Sequence, residues 1–119
     1  MIQTEAVVIT CIDYRLQPIL DTWLQEHLGY GHYNRVALAG SVKNWDVIRT
    51  QIDLSRRVHS ITRVVLMNHE DCRAYGDQDS PHVHFRDLRA ARERVLEQYP
   101  DMAVDLYYVH LDGQVERVE

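Results

Sequence analysis

The sequence predicts an α/β fold in three layers, a mainly parallel four-stranded sheet with helices on both faces and a short antiparallel edge strand. Three observations carry this. Short Val- and Ile-rich runs alternate with helix-periodic stretches, in the order strand, helix, strand, helix, strand, helix, strand. The runs are apolar at successive positions, as strands covered on both faces must be. A chain of 119 residues is long enough for one layered core and short for two, so a single domain spanning 1–119 is expected.

The first strand runs from Glu5 to Ile12, rich in Val and Ile. Leu16, Ile19, Leu20, Trp23, Leu24 and Leu28 then recur at the spacing of a helix with one covered face, and Gly29-Tyr30-Gly31 stops it. Arg35–Ala39 is a second strand closed by Gly40-Ser41, followed by a helix whose first stripe is Trp45, Ile48 and Ile52. That helix has a second apolar stripe, Val47, Leu54 and Val58, which fits either a wide core face or a subunit interface. Arg63–Met67 is the third strand. Ser80 before Pro81 is a helix start, continued by Phe85, Leu88, Ala91, Val95 and Tyr99 and stopped by Pro100. Ala103–Leu111 is the fourth strand, and Asp112-Gly113 predicts a two-residue hairpin turn into a short edge strand, Gln114–Val118.

Composition narrows the function classes. The chain is 45% hydrophobic and 26% charged, with only five Gly and three Pro, so a fold throughout is expected. A net charge of −5 without a basic stripe argues against a nucleic-acid partner. No basic leader precedes an apolar stretch and no run is long enough to span a bilayer, which predicts a cytoplasmic protein without a membrane partner. In a reducing compartment the pair Cys11 and Cys72 points to a metal site or a reactive thiol before a disulfide.

In an open parallel sheet, ligands gather outside the carboxyl ends of the strands. Cys11 ends the first strand, Gly40 follows the second, and His69 ends the third with Cys72 three residues on. Two thiols and one imidazole make a donor set suited to zinc, with three protein ligands and one position left for water or substrate. Asp13 and Arg15 would project to the same side as Cys11 if the chain stayed extended. A cysteine-phosphatase reading fails because Gln17 stands where its Arg is needed and no Gly-rich cradle intervenes. The other histidines, His27, His32, His59, His82, His84 and His110, read as surface or structural groups, with proton shuttling the alternative role for His82 and His84 near a helix start.

Cys11-Ile12-Asp13-Tyr14-Arg15, Ala39-Gly40 and His69-Glu70-Asp71-Cys72, in this order, resemble the β-class carbonic anhydrases, whose signatures are CxDxR and HxxC. The resemblance implies zinc ligands Cys11, His69 and Cys72, a catalytic dyad of Asp13 and Arg15, and substrate contacts at Ala39 and Gly40. It implies hydration of CO2 to bicarbonate by metal-bound hydroxide, in a homodimer or a multiple of one. It also implies a closed form in which Asp13 itself ligates the metal. Two alternatives stay open: a non-catalytic zinc protein of the same family, and a hydrolase of a related electrophile such as CS2 or COS. The chain departs from the family in three ways. Only ten residues precede Cys11, where members carry a helical arm; Asn68 and Arg73 stand where Gly is common; and Tyr14 replaces the usual Ser.

Overall fold

The computed structural model describes residues 5–119. Its strands are β1 (Ala6–Thr10), β2 (Tyr33–Ala37), β3 (Arg63–His69), β4 (Ala103–Val109) and β5 (Val115–Val118). Its helices are α1 (Gln17–His27), α2 (Trp45–His59) and α3 (Pro81–Gln98), with short 3-10 turns at Tyr14–Leu16, Ser41–Lys43 and Arg73–Gln78. One five-stranded sheet runs in the order β2-β1-β3-β4-β5. All pairings are parallel except β4 with β5. The expected four parallel strands and antiparallel edge strand are therefore all present.

Every residue of β1 is buried, because the strand lies inside the sheet and under both helical layers. Val7, Ile9, Val64 and Leu66 face α2 and α3, whose Ile48, Ile52, Leu88, Ala91 and Val95 complete that core. On the opposite face Val8, Val65 and Met67 meet Leu16, Leu20 and Leu24. This two-sided alternation is what continuous apolar strands require. Each fully buried Leu contributes about 2 kcal/mol of hydrophobic stabilisation. Ser80 caps α3, its hydroxyl accepting from the Val83 N–H at 3.3 Å, and Pro81 occupies the first turn, as expected.

Three local expectations are corrected. β2 starts at Tyr33, two residues ahead of the apolar run, because at the sheet edge it is only half covered and tolerates polar Tyr33 and Asn34. The β4–β5 connection is longer than a two-residue turn. His110 N–H donates to the Gln114 carbonyl at 2.8 Å, and Gly113 closes the loop in the left-handed region at φ 103. β1 ends at Thr10 rather than Ile12, so Asp13 and Arg15 do not sit on an extended chain. Asp13 instead caps the Tyr14–Leu16 turn, accepting the Arg15 backbone N–H at 2.9 Å.

The order of strands fixes where a ligand can go. From β1 the chain steps to β2 on one side and later to β3 on the other, so the loops leaving β1 and β3 diverge at a topological switch point.

Candidate metal centre

At that switch point the protein places Cys11 just past β1, His69 as the last residue of β3, and Cys72 in the loop that follows. Their ligand atoms all lie within 4.8 Å of one another, about twice a Zn–S bond of ~2.3 Å. All three residues are buried, and both thiols are free. A cleft of about 530 Å³ opens over them, bordered by Ile12, Asp13, Tyr14, Ala39 and Arg73.

The imidazole is preset as a donor. His69 Nδ1 lies 2.6 Å from the Glu70 carbonyl, which can only accept, so Nδ1 carries the proton and Nε2 presents its lone pair. Nε2 is buried and has no hydrogen-bond partner. A buried acceptor without a partner costs roughly 1–3 kcal/mol, which a metal at this point would recover. Of the two sulfurs, Cys11 is the one set up as an anion. Cys72 hydrogen-bonds to Cys11, and the Gly40 and Asp13 backbone N–H groups add to it, holding the Cys11 thiol far below its usual range. The same sulfur contact, with burial, pushes Cys72 up. Burial opposes a charge on His69, and the Cys11 sulfur beside it outweighs that, giving a net upward shift. Donor type, burial, tautomer and spacing all fit a zinc ion.

Beside this cluster, Arg15 grips Asp13. Its Nε lies 3.1 and 3.2 Å from the two carboxylate oxygens and its Nη2 2.6 Å from Oδ2. These hydrogen bonds hold the Asp13 carboxyl down at about 2. Asp13 Oδ2 lies 3.9 Å from His69 Nε2. Ala39 borders the cleft, whereas Gly40 is buried, with its N–H toward the Cys11 sulfur rather than the cavity.

The histidines named as shuttles do not reach the cleft. His82 is exposed on α3 and His84 is fully buried. His84 belongs to a polar network invisible in the sequence. Its Nδ1 accepts from Asn68 Nδ2 at 2.8 Å, its Nε2 donates to Asp79 at 2.7 Å, and Asn68 also donates to the Tyr75 hydroxyl, which donates to Asp87. This ties the segment after Cys72 to β3 and α3. Asn68, noticed only as a departure from Gly, is its hub.

A family model described as "Putative carbonic anhydrase" matches residues 1–119 of the chain. The chain belongs to this carbonic anhydrase family. An uncharacterized protein of Rickettsia conorii is 25% identical over 98% of this chain and 73% of its own length. Among solved structures, a carbonic anhydrase from Glaciozyma antarctica superposes with a TM-score of 0.73 at 14% identity, covering all of this chain and 85% of that one. A tetrameric β-carbonic anhydrase of Sordaria macrospora gives a TM-score of 0.65 at 12% identity, over 97% and 80% of the two chains. At these identities the likeness is one of fold, and it is the β-carbonic anhydrase fold that the sequence predicts.

Proposed function

We propose that this carbonic anhydrase family member binds zinc through Cys11, His69 Nε2 and Cys72 and hydrates CO2 to bicarbonate. The observation that carries this is the buried, unpartnered Nε2 of His69, facing two sulfurs and flanked at 3.9 Å by a carboxylate that is itself no part of the trio. When bound there, zinc supplies Lewis acidity that makes water a competent nucleophile near neutral pH.

The chain's own residues do the rest. Two thiolates cancel the charge of a divalent cation, so this donor set acidifies water less than three neutral ligands would, and orientation must contribute more. Asp13, ionised at any physiological pH, accepts a hydrogen bond from the attacking water and directs its lone pair into the cleft. Arg15 holds that carboxylate by a paired, charge-assisted contact. Ile12 and Ala39 give the cleft an apolar border suited to a small linear electrophile.

Two further readings complete the proposal. The chain works as a homo-oligomer, supported by the exposed stripe of α2 and by the tetrameric relative's fold. It takes no nucleic-acid or membrane partner, a reading supported by the net charge of −5 and by the fact that no helix among the described residues is long and apolar enough to cross a membrane.

The test is metal analysis with stopped-flow CO2 hydration, against a chelated control. About one zinc per chain is expected, with activity abolished by the chelator. Asp13→Asn should keep the zinc and lose on the order of a hundredfold in turnover. Zinc without hydration of CO2, CS2 or COS would reduce the site to a structural staple, and a native protein free of zinc would sink the assignment.

A further inference from the structure

Asp71 lies inside the turn from His69 to Cys72 and has no task in the reading above. Its backbone is left-handed, at φ 54, a conformation that Asp tolerates better than most side chains. In it the residue offers two acceptors to a single group. Arg15 Nη1 donates to Asp71 Oδ2 at 2.9 Å, and Arg15 Nη2 donates to the Asp71 carbonyl at 2.9 Å. The same guanidinium donates to Asp13 through Nε and Nη2. Arg15 is thereby a strap joining the loop after β1 to the loop after β3, the two that carry Cys11 and Cys72.

We propose that Asp71 is a positioning residue: it anchors Arg15 so that Asp13 stays turned away from the metal position and does not become a ligand itself. This rests on the metal-site reading of the preceding subsection. Asp13 Oδ2 is only 3.9 Å from the unpartnered Nε2 of His69, so a small rotation of the side chain carries a carboxylate oxygen into the space between the sulfurs and the imidazole. A carboxylate is a competent zinc ligand. Asp13 and Arg15 alone cannot prevent this, because they sit two residues apart on one turn and can shift together. Asp71 comes from a different strand end and fixes the guanidinium against a second element. The halves of the clamp are unequal: the Asp13 side chain is 14% exposed and that of Asp71 57%. The Asp71 side is therefore the one that salt screens.

The experiment loads the full chain with Co2+, whose visible spectrum reports the donor set, and titrates it with thiocyanate as a probe of an accessible coordination position. Asp71→Ala should bind Co2+ at the wild-type stoichiometry yet bind thiocyanate about tenfold more weakly, because Asp13 now competes for the ion in most molecules. Adding Asp13→Asn to Asp71→Ala should restore thiocyanate binding, since an amide is a poor ligand. Asp71→Gly, which suits the left-handed backbone and removes the side-chain acceptor, carries the same comparison if the alanine variant folds poorly. Unchanged thiocyanate affinity in the Asp71 variants overturns the proposal, and so does a loss that Asp13→Asn fails to rescue. A wild-type chain that takes up no Co2+ brings down the metal reading, and the positioning role with it.

Discussion

His84 and Asp71 show how far a residue's role can lie from its type. Both are chemically ordinary: Asp71 fills a variable position of HxxC and His84 lies outside both motifs, so neither is among the fixed positions that made Cys11, Asp13, Arg15, His69 and Cys72 legible. The motif residues could be read because thiols, imidazole and a paired carboxylate are rare enough together to mean something in one dimension. Asp71 acts through a left-handed backbone, and His84, on α3, through a partner on β3, and neither can be seen without coordinates. His84 also carries a pH signature. Burial pushes it below the ordinary histidine range, with His69 adding slightly and Asp79 and Asp87 opposing. The folded chain therefore binds this proton less readily than the unfolded one. The stability it contributes is complete above the unfolded pKa of ~6.5 and is lost as pH falls from there through the lower folded value. In chelator-treated protein, wild type should lose more stability between about pH 7 and pH 5 than His84→Gln does, measured by urea midpoints. Parallel slopes for the two proteins would show that His84 is not held neutral.

Among the elements, the strands and helices follow their hydrophobic period, and the connections do not. Ile48, Ile52, Leu88, Ala91 and Val95 fall on buried faces as their spacing implies. The start of β2, the Arg73–Gln78 turns and the β4–β5 loop depend on edge position and backbone angle, which periodicity does not encode. The loop after β2 shows how such a connection serves the site. Gly40 stands at φ 80, and a Cβ there would come within 3.3 Å of Lys43 Cβ and 3.4 Å of Ala74 Cβ. Ala74 lies two residues past Cys72, so a glycine lets the β2 loop close against the loop bearing a thiol, with its N–H on the Cys11 sulfur. Gly40→Ala should cost about 1–2 kcal/mol of stability through the left-handed backbone. It should also weaken metal retention against a competing chelator, because the N–H shifts off the sulfur. A variant that loses stability but holds metal as tightly as wild type would confine Gly40 to the turn.

Over the whole molecule, what the sequence left ambiguous was the second stripe of α2, which suited a wide core face as well as a subunit contact. The fold decides the first half of that question: the sheet covers Ile48 and Ile52, while Val47, Leu54 and Val58 stay 52%, 42% and 60% exposed. Leu54 and Val58 border a groove of about 490 Å³ shared with Val36 on β2. β2 is also the parallel edge of the sheet, with one side of its backbone unpaired. An exposed apolar stripe next to an open strand edge is a combination that isolated chains avoid, because it templates association. A second copy laid against this face would cover both at once. In sedimentation equilibrium the wild-type chain should therefore run as a dimer of the 14.0 kDa unit or a multiple of it. Leu54→Asp with Val58→Asp should shift it toward monomer while the metal stoichiometry holds, since neither residue touches the Cys11, His69 and Cys72 cluster. A wild-type chain that sediments as a monomer at micromolar concentration removes the interface. A double variant that keeps the native assembly moves it to another face.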